Sequence, residues 1–324
     1  MQDAKAVVVA VDDGPRACCA PLLSVSGFVS LETGSLPPQA RALFCGTSDS
    51  AKAREIEAAA RRAARAARIP VVALEDYPGN YSDVEGGEAD LLIVESELAA
   101  ESDHARLAAR CPATWVCPAR YDDYRRSAAR LRASYAQRDR AARLVLWAGQ
   151  PETAEALATL RRIAPALAPL GATLLFRAHP RDPGYRNGAY GEFFSRAGIA
   201  VRDLTVHSLS ECFALAPELV LTQFSSVAAE AGFHGISAVH FLYPDAGRKT
   251  LRAKKGYDVP PCCRAGASFL VRDPGSEAAT LAQAIGDAEA RARTMEAFDR
   301  YYSTSRETLG GLLAYLYNQG IISS

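Results

Sequence analysis

Short apolar runs alternate with helical stretches from one end of this chain to the other, and that alternation constrains the fold more than any other feature. A strand that is apolar throughout, with no polar residue at every second place, has to be covered on both faces. Parallel strands joined by crossover helices supply that cover. The runs are Ala6 to Val11, Phe28 to Leu31, Ala42 to Cys45, Pro70 to Leu74, Asp90 to Val94 and Ala113 to Cys117 in the first part of the chain. Arg143 to Ala148, Ala172 to Arg177, Val201 to Leu204, Leu219 to Thr222 and Ser237 to Phe241 follow in the second. Helices are expected from Asp12-Asp13-Gly14-Pro15 onward, over Ala51 to Arg68, over Glu152 to Leu167, around Gly188 to Arg196 and from Ser226 to His234. Two more are expected within Ser276 to Tyr317.

A chain of 324 residues exceeds the roughly 250 at which one core stops growing. The expectation is an α/β protein of two Rossmann-like three-layer domains facing across a cleft. Residues 1–120 form the first domain, 121–142 a connector helix, 143–290 the second domain, and 291–324 a C-terminal helix packing back on them. A ligand of such a fold belongs at the carboxyl ends of the strands.

Lys and Arg together number 37 and Asp and Glu also 37, a balance that argues against a nucleic-acid partner. No apolar run reaches the ~18–20 residues of a membrane span and no signal segment opens the chain, so a cytoplasmic location is expected. Between residues 120 and 143 lie eight arginines. Arg125, Arg126, Arg130 and Arg132 read as a solvated helix face, with docking of an anionic acceptor or lipid-linked intermediate at the inner membrane face as the other reading. The cysteines, among them the adjacent pairs Cys18-Cys19 and Cys262-Cys263, show no C-x-x-C spacing and read as buried thiols; no metal site is expected.

Two stretches carry chemistry. In TLLFRAHPRDP, Thr173 to Pro183, a buried strand delivers Arg177, His179 and Arg181 to its carboxyl end, where the imidazole can donate to phosphate or move a proton and the guanidinium groups can fork onto phosphate oxygens. In LVLTQFSSVAAEAG, Leu219 to Gly232, a strand ends at Thr222 and Gln223, and Ser225 and Ser226 open a helix whose amide groups and hydroxyls suit a phosphate; capping alone also accounts for a serine there. Glu230, one turn on, is placed for a ribose or is a solvated acid. Gly149 and Gln150, and the loop Tyr243 to Gly247, are positional candidates for the base. In the first half, Asp12-Asp13, Asp49 and Glu75-Asp76 follow strands and are placed as general bases, or as caps and turn formers.

PVVALEDYPGNY, ADLLIVESE and ATWVCPARYDDY resemble the first domain of the superfamily that holds the non-hydrolysing UDP-N-acetylglucosamine 2-epimerases and many glycosyltransferases of the GT-B fold. RAHPRDP, LTQFSSVAAEAG and KKGYDVPP are similar to CDP-glycerol glycerophosphotransferases and to bacterial sialyl- and Kdo-transferases. The likeness spans roughly residues 5 to 275. It implies a transferase, without a cofactor, that moves a glycosyl or alditol-phosphate group from a nucleotide-sugar donor to a glycan or lipid-linked acceptor; no DxD pair stands at a strand end in the second half, so a metal-independent reaction is expected. His179 would contact the donor phosphates, Ser225 and Ser226 would bind phosphate, and Glu230 would lie near ribose or sugar. Asp12 or Asp13 would be the base, and Glu75, with Asp49, would match catalytic acids of the epimerases. An epimerase and a non-catalytic sugar-nucleotide binder are the other two readings. The chain departs from these patterns at Gln223, where the glycerophosphotransferases have Asp, and in lacking the epimerase stretches SGGIQEE and GTRPE. Its first domain is also short by ~30–40 residues against usual βαβ lengths.

Overall fold

The structure, a computed structural model, describes residues 5–137, 143–242, 245–303 and 309–322. It divides into two units. The first comprises Met1–Asp123, Lys254–Tyr257 and Tyr302–Ser324, the second Tyr124–Ala253 and Asp258–Tyr301.

In the first unit the elements run β1 (Lys5–Val9), α1 (Asp13–Leu23), β2 (Phe28–Leu31), β3 (Ala40–Cys45), α2 (Ala51–Ala66), β4 (Val71–Leu74), β5 (Leu91–Val94), α3 (Glu97–Leu107) and β6 (Ala113–Val116). The six strands form one parallel sheet in the order β2-β1-β3-β4-β5-β6. Alternate residues of β3 and β4 enter opposite cores. Val71 and Ala73 pack with Ala60, Ala64, Ala99 and Leu107 of α2 and α3, whereas Val72 and Leu74 pack with Cys18, Cys19 and Leu22 of α1.

The second unit begins within α4 (Asp122–Ala136) and continues through β7 (Leu144–Ala148), α5 (Thr153–Leu167), β8 (Thr173–Arg177), α6 (Pro183–Arg186), α7 (Gly191–Arg196) and β9 (Val201–Asp203). After these come α8 (Leu209–Ala214), β10 (Leu219–Thr222), α9 (Val227–Phe233), β11 (Ser237–Phe241), α10 (Asp245–Lys255), α11 (Pro261–Arg264), β12 (Phe269–Val271), α12 (Glu277–Gly286) and α13 (Ala288–Ser303). Its sheet is also parallel, in the order β12-β11-β10-β7-β8-β9. Trp147 is fully buried in the core shared with α5, α7 and α12.

Three expectations need correction. The tail holds three helices rather than two, because Asp287 interrupts what composition alone reads as one; α14 (Leu309–Asn318) is the last. The arginine-rich helix α4 is not a merely solvated connector. Tyr121, just before it, and Tyr135 within it are buried, and Arg132 forks onto Asp299 at 3.0 and 2.6 Å, although Arg126 and Arg130 are exposed as expected. Residues 138–142 of the proposed connector, and Tyr243 and Pro244, lie outside the described residues.

The third correction concerns the short first half, which nevertheless completes six strands. Right-handed crossovers place α2 and α3 on one face of β3 to β6, and the β4–β5 connection holds no helix. The opposite face of β4 and β5 is covered instead by α14, whose Leu312 and Leu316 are fully buried against Val72, Leu74, Leu91 and Ile93. Tyr315 of the same helix stacks on Trp115 at 4.1 Å between centroids. Leu312→Ala should therefore cost the first unit about 2–5 kcal/mol, measured as a shift of its unfolding transition in denaturant.

Candidate functional site

Each sheet has one place where neighbouring strands send the chain in opposite directions. In the second unit it lies between β7 and β10, since the chain leaves β7 toward β8 and β9 and leaves β10 toward β11 and β12. Loops diverge there and leave a crevice at the carboxyl edge. The loops that flank it carry Gly149 and Gln150 after β7 and Thr222 to Ser226 after β10, with His179 one strand further along, after β8.

Gly149 stands at a close approach of two loops. Its amide donates to the Arg177 carbonyl at 2.9 Å, and a Cβ would lie 3.2 Å from that oxygen and 3.2 Å from the His179 nitrogen. The β7 loop thus runs tight against the segment that presents the imidazole. That segment is held from below by Asp182, 2% exposed, whose carboxylate accepts from the Gly184 amide at 2.8 Å and from the Thr153 and Tyr190 hydroxyls. His179 itself is half-buried.

Its tautomer follows from its contacts. The Arg181 amide donates to His179 Nδ1 at 3.1 Å, so that nitrogen carries a lone pair and the proton sits on Nε2. Burial, with the charges of Arg181 and Arg177 beside it, pushes the imidazole pKa down to about 4. At neutral pH the ring is a neutral Nε2–H donor among cations. Arg177 is half-buried and its Nε donates to the His207 carbonyl at 3.3 Å, while Arg181 is exposed.

Across the crevice the expected residues separate into two groups. Thr222 and Gln223 do not face a ligand: both are buried, the Thr222 hydroxyl accepts from the Ser225 amide at 3.2 Å, and Gln223 Nε2 donates to the Thr159 hydroxyl at 3.3 Å. They shape the turn. Ser225 and Ser226 are half-buried at the start of α9, and Ser225 Oγ accepts from the Val227 amide at 3.3 Å, which leaves its proton to donate. Since α9 has only seven residues, the hydroxyls and first amides matter more than any helix field. Glu230 accepts from the Tyr124 hydroxyl at 2.7 Å, a contact within the unit that gives the carboxylate a structural partner. Gln150 is buried.

In the first unit the corresponding place lies between β1 and β3. Asp12 is an anchor there. Its carboxylate accepts from the Asp49 and Ser50 amides at 3.0 and 2.8 Å and from the Ser50 hydroxyl at 2.8 Å, tying the β1 loop to the start of α2. Asp13 is exposed at the start of α1. Glu75 cannot serve at this edge, because it continues the alternation of β4 toward α3. It is buried, its Oε1 accepts from the Tyr81 amide at 2.9 Å, and burial together with the neighbouring carboxylate of Asp103 pushes its pKa well up.

Asp76 points the other way, and sequence reasoning named it without choosing it. Its carboxylate accepts from the Thr47 hydroxyl at 3.0 Å and Asn80 Nδ2 at 2.7 Å, and it lies so near Gly14 that any Cβ there would collide with it. Burial raises its pKa, against the opposing charges of Arg120 and Lys255. Lys255, from the KKGYDVPP stretch, lies 3.6 Å from Asp49 and over the Tyr77 ring, with Tyr257 donating to the Pro78 carbonyl at 2.6 Å. A half-buried carboxyl with a raised pKa among donors has properties that suit a general base.

Among the described residues, no helix is long and apolar enough to cross a membrane. No family model and no curated protein matches the chain. Solved structures do. UDP-GlcNAc 2-epimerase from Neisseria meningitidis, bound to UDP-GlcNAc, is similar over 90% of this chain and 94% of its own, with a TM-score of 0.59 at 12% identity. The spinosyn rhamnosyltransferase SpnG is similar over 98% of this chain and 100% of its own, with a TM-score of 0.57 at 13% identity. The wall teichoic acid polymerase TagF is similar over 98% of this chain and 89% of its own, with a TM-score of 0.54 at 11% identity. The two parallel six-stranded sheets with their flanking helices are the Rossmann-like pair of the GT-B fold.

Proposed function

We propose that the chain is a transferase that moves a glycosyl or alditol-phosphate group from a nucleotide-activated donor to a hydroxyl of a glycan or lipid-linked acceptor in surface-glycan synthesis, on the cytoplasmic side of the membrane. The observation that carries this reading is the neutral Nε2–H of His179, set with Arg177 and Arg181 at the carboxyl edge of the second sheet. The likeness to a structure bound to UDP-GlcNAc supports a sugar nucleotide as donor.

In the step we propose, the acceptor hydroxyl gives its proton to Asp76 and its oxygen bonds to the transferred carbon or phosphorus. The bond to the leaving phosphate breaks with its electron pair on the nucleotide. His179 Nε2–H, Arg181 and the hydroxyls of Ser225 and Ser226 meet that growing charge. Guanidinium groups do here what a divalent ion does elsewhere, so turnover should need no added Mg²⁺ or Mn²⁺.

Transfer needs one base, whereas epimerisation at carbon, as built on Asp49 and Glu75, needs two groups at the reacting edge. Glu75 is not there, and Asp49 is engaged by Lys255. Asp76→Asn should lower turnover by about 10²–10⁴-fold while donor binding holds. Glu75→Gln, an isosteric replacement that keeps the acceptor for the Tyr81 amide, should leave the rate nearly unchanged. A reversed pattern in steady-state kinetics would move the chemistry to Glu75.

A panel of UDP-, CMP-, CDP- and GDP-linked sugars should raise the melting temperature with one of them, and that donor should persist in NMR spectra until a hydroxyl acceptor is added. Conversion of UDP-N-acetylglucosamine to its C2 epimer without acceptor would sink the transferase reading, and binding with no turnover under any acceptor would make the chain a sugar-nucleotide binder.

His179 predicts a pH signature. Its folded pKa lies below the unfolded value near 6.5, so the unfolded chain takes up the proton first. Stability from this group is complete above about pH 6.5 and is lost as pH falls toward 4. Melting temperatures of the wild type should therefore drop relative to His179→Gln across that window. His179→Ala should cost about 10²–10³ in kcat at pH 7.5.

A further inference from the structure

His240 and the adjacent cysteines have no part in the chemistry above. His240 is 1% exposed on β11, and Cys262 and Cys263 follow one another on the short helix α11. One ring nitrogen of His240 and the two Sγ atoms all lie within 4.8 Å of one another, and this is the one such group of His, Cys, Asp and Glu among the described residues.

The ring's protonation is settled by its partner. His240 Nδ1 lies 3.1 Å from the carbonyl oxygen of Gln223, and a carbonyl can only accept, so Nδ1 carries the proton. Nε2 is left with a lone pair, buried and outside hydrogen-bond geometry with any nitrogen or oxygen donor. The nearby thiols offer only weak S–H donors, and an electrophilic ion would satisfy the lone pair better. An imidazole that hands one N–H to a backbone carbonyl and keeps its other nitrogen bare, with two thiols beside the ring, has the outer bond that orients a metal-ligating histidine.

We infer that His240 Nε2, Cys262 Sγ and Cys263 Sγ form a binding site for a soft transition-metal ion, Zn²⁺ foremost. One imidazole and two sulfurs match the ligand preferences of that ion and exclude Mg²⁺ or Ca²⁺, which take oxygen. Tetrahedral bonds of about 2.0 Å to nitrogen and 2.3 Å to sulfur set ligand atoms roughly 3.5–3.8 Å apart, so donors that lie within 4.8 Å of one another need to close by roughly 1 Å at most. Cys263 is buried and Cys262 half-buried, which gives the ion an approach from the Cys262 side and a fourth position for water or a further ligand. Through Gln223 the bound ring would also hold the turn that carries Ser225 and Ser226.

Sequence pattern could not show this, because the histidine sits on a strand far upstream and two consecutive cysteines match no zinc spacing. The test uses the full chain, stripped of metal and kept reduced by a phosphine. Titration with Co²⁺ should saturate at one ion per chain, with thiolate-to-cobalt charge-transfer absorption and the strong visible bands of a tetrahedral ion, and Zn²⁺ should bleach both. Cys263→Ser and His240→Gln should each weaken binding by at least about 100-fold, more than the loss of an outer partner causes, and Zn²⁺ should raise the melting temperature of the wild type but of neither variant. The half-exposed Cys262→Ser guards against misfolding and should lose the charge-transfer band while its circular dichroism matches wild type. Absence of the band in the wild type, or equal affinity in the Cys262→Ser, Cys263→Ser double variant, would overturn the site.

Discussion

Every strand in both sheets runs parallel to its neighbours, and a parallel strand cannot hand the chain directly to the next one. It must release it at the carboxyl edge and regain it at the other. All residues that follow strands therefore collect along one edge of each sheet. The order in which strands were added then decides which loops part company. Between β7 and β10, and between β1 and β3, two loops leave in opposite directions, and these are the places where His179, Ser225 and Ser226 in one unit and Asp76 in the other are found at or next to the gap. The chemistry assigned to them depends on that edge before it depends on any single side chain.

Much of this was readable in the residues. Leu219–Thr222 and Ser237–Phe241 begin and end where their apolar runs do, and β3 and β7 differ from the expected runs by only one or two residues at an end, because fully buried strands announce themselves by hydrophobicity without help from context. Sequence reading missed β12, a three-residue strand too short to stand out, and the cover that α14 gives to β4 and β5, which is a contact across most of the chain length. At the site, the stretch after β8 was legible because two arginines and a histidine interspersed with prolines rarely serve a core. Glu75 and Asp76 were not separable, since adjacent residues after a strand differ only in which face they enter, and the pleat phase is fixed by packing against α1 and α3.

Buried and half-buried carboxylates divide the labour in both units. Asp12 and Asp182 accept three hydrogen bonds each and Glu57 likewise accepts from Ser48 and Val11, so these acids anchor loops and are spent in doing so. A charged group that is fully satisfied is rigid, and rigidity of the backbone around it is what a preorganised site requires. Asp76 has two donors and an environment that raises its pKa, which leaves basicity in reserve. The same reasoning explains why an acidic pair named from sequence, Asp12-Asp13, holds structure through its first member.

The low pKa of His179 bears on how phosphate charge is met. An imidazolium between Arg177 and Arg181 would add a third positive charge to a half-buried place, and desolvation with mutual repulsion makes that state costly. The ring instead waits as a neutral donor, with its orientation set by the Arg181 amide on one nitrogen. In the proposed reaction, a phosphate bearing negative charge beside Nε2 would offset the repulsion and raise the proton affinity of the ring. The donor would then strengthen its hydrogen bond as charge builds on the leaving oxygen, when stabilisation lowers the barrier rather than only tightening the ground state. A permanently charged lysine in its place would bind the resting diphosphate as firmly as the departing one, and so would lend less to the rate.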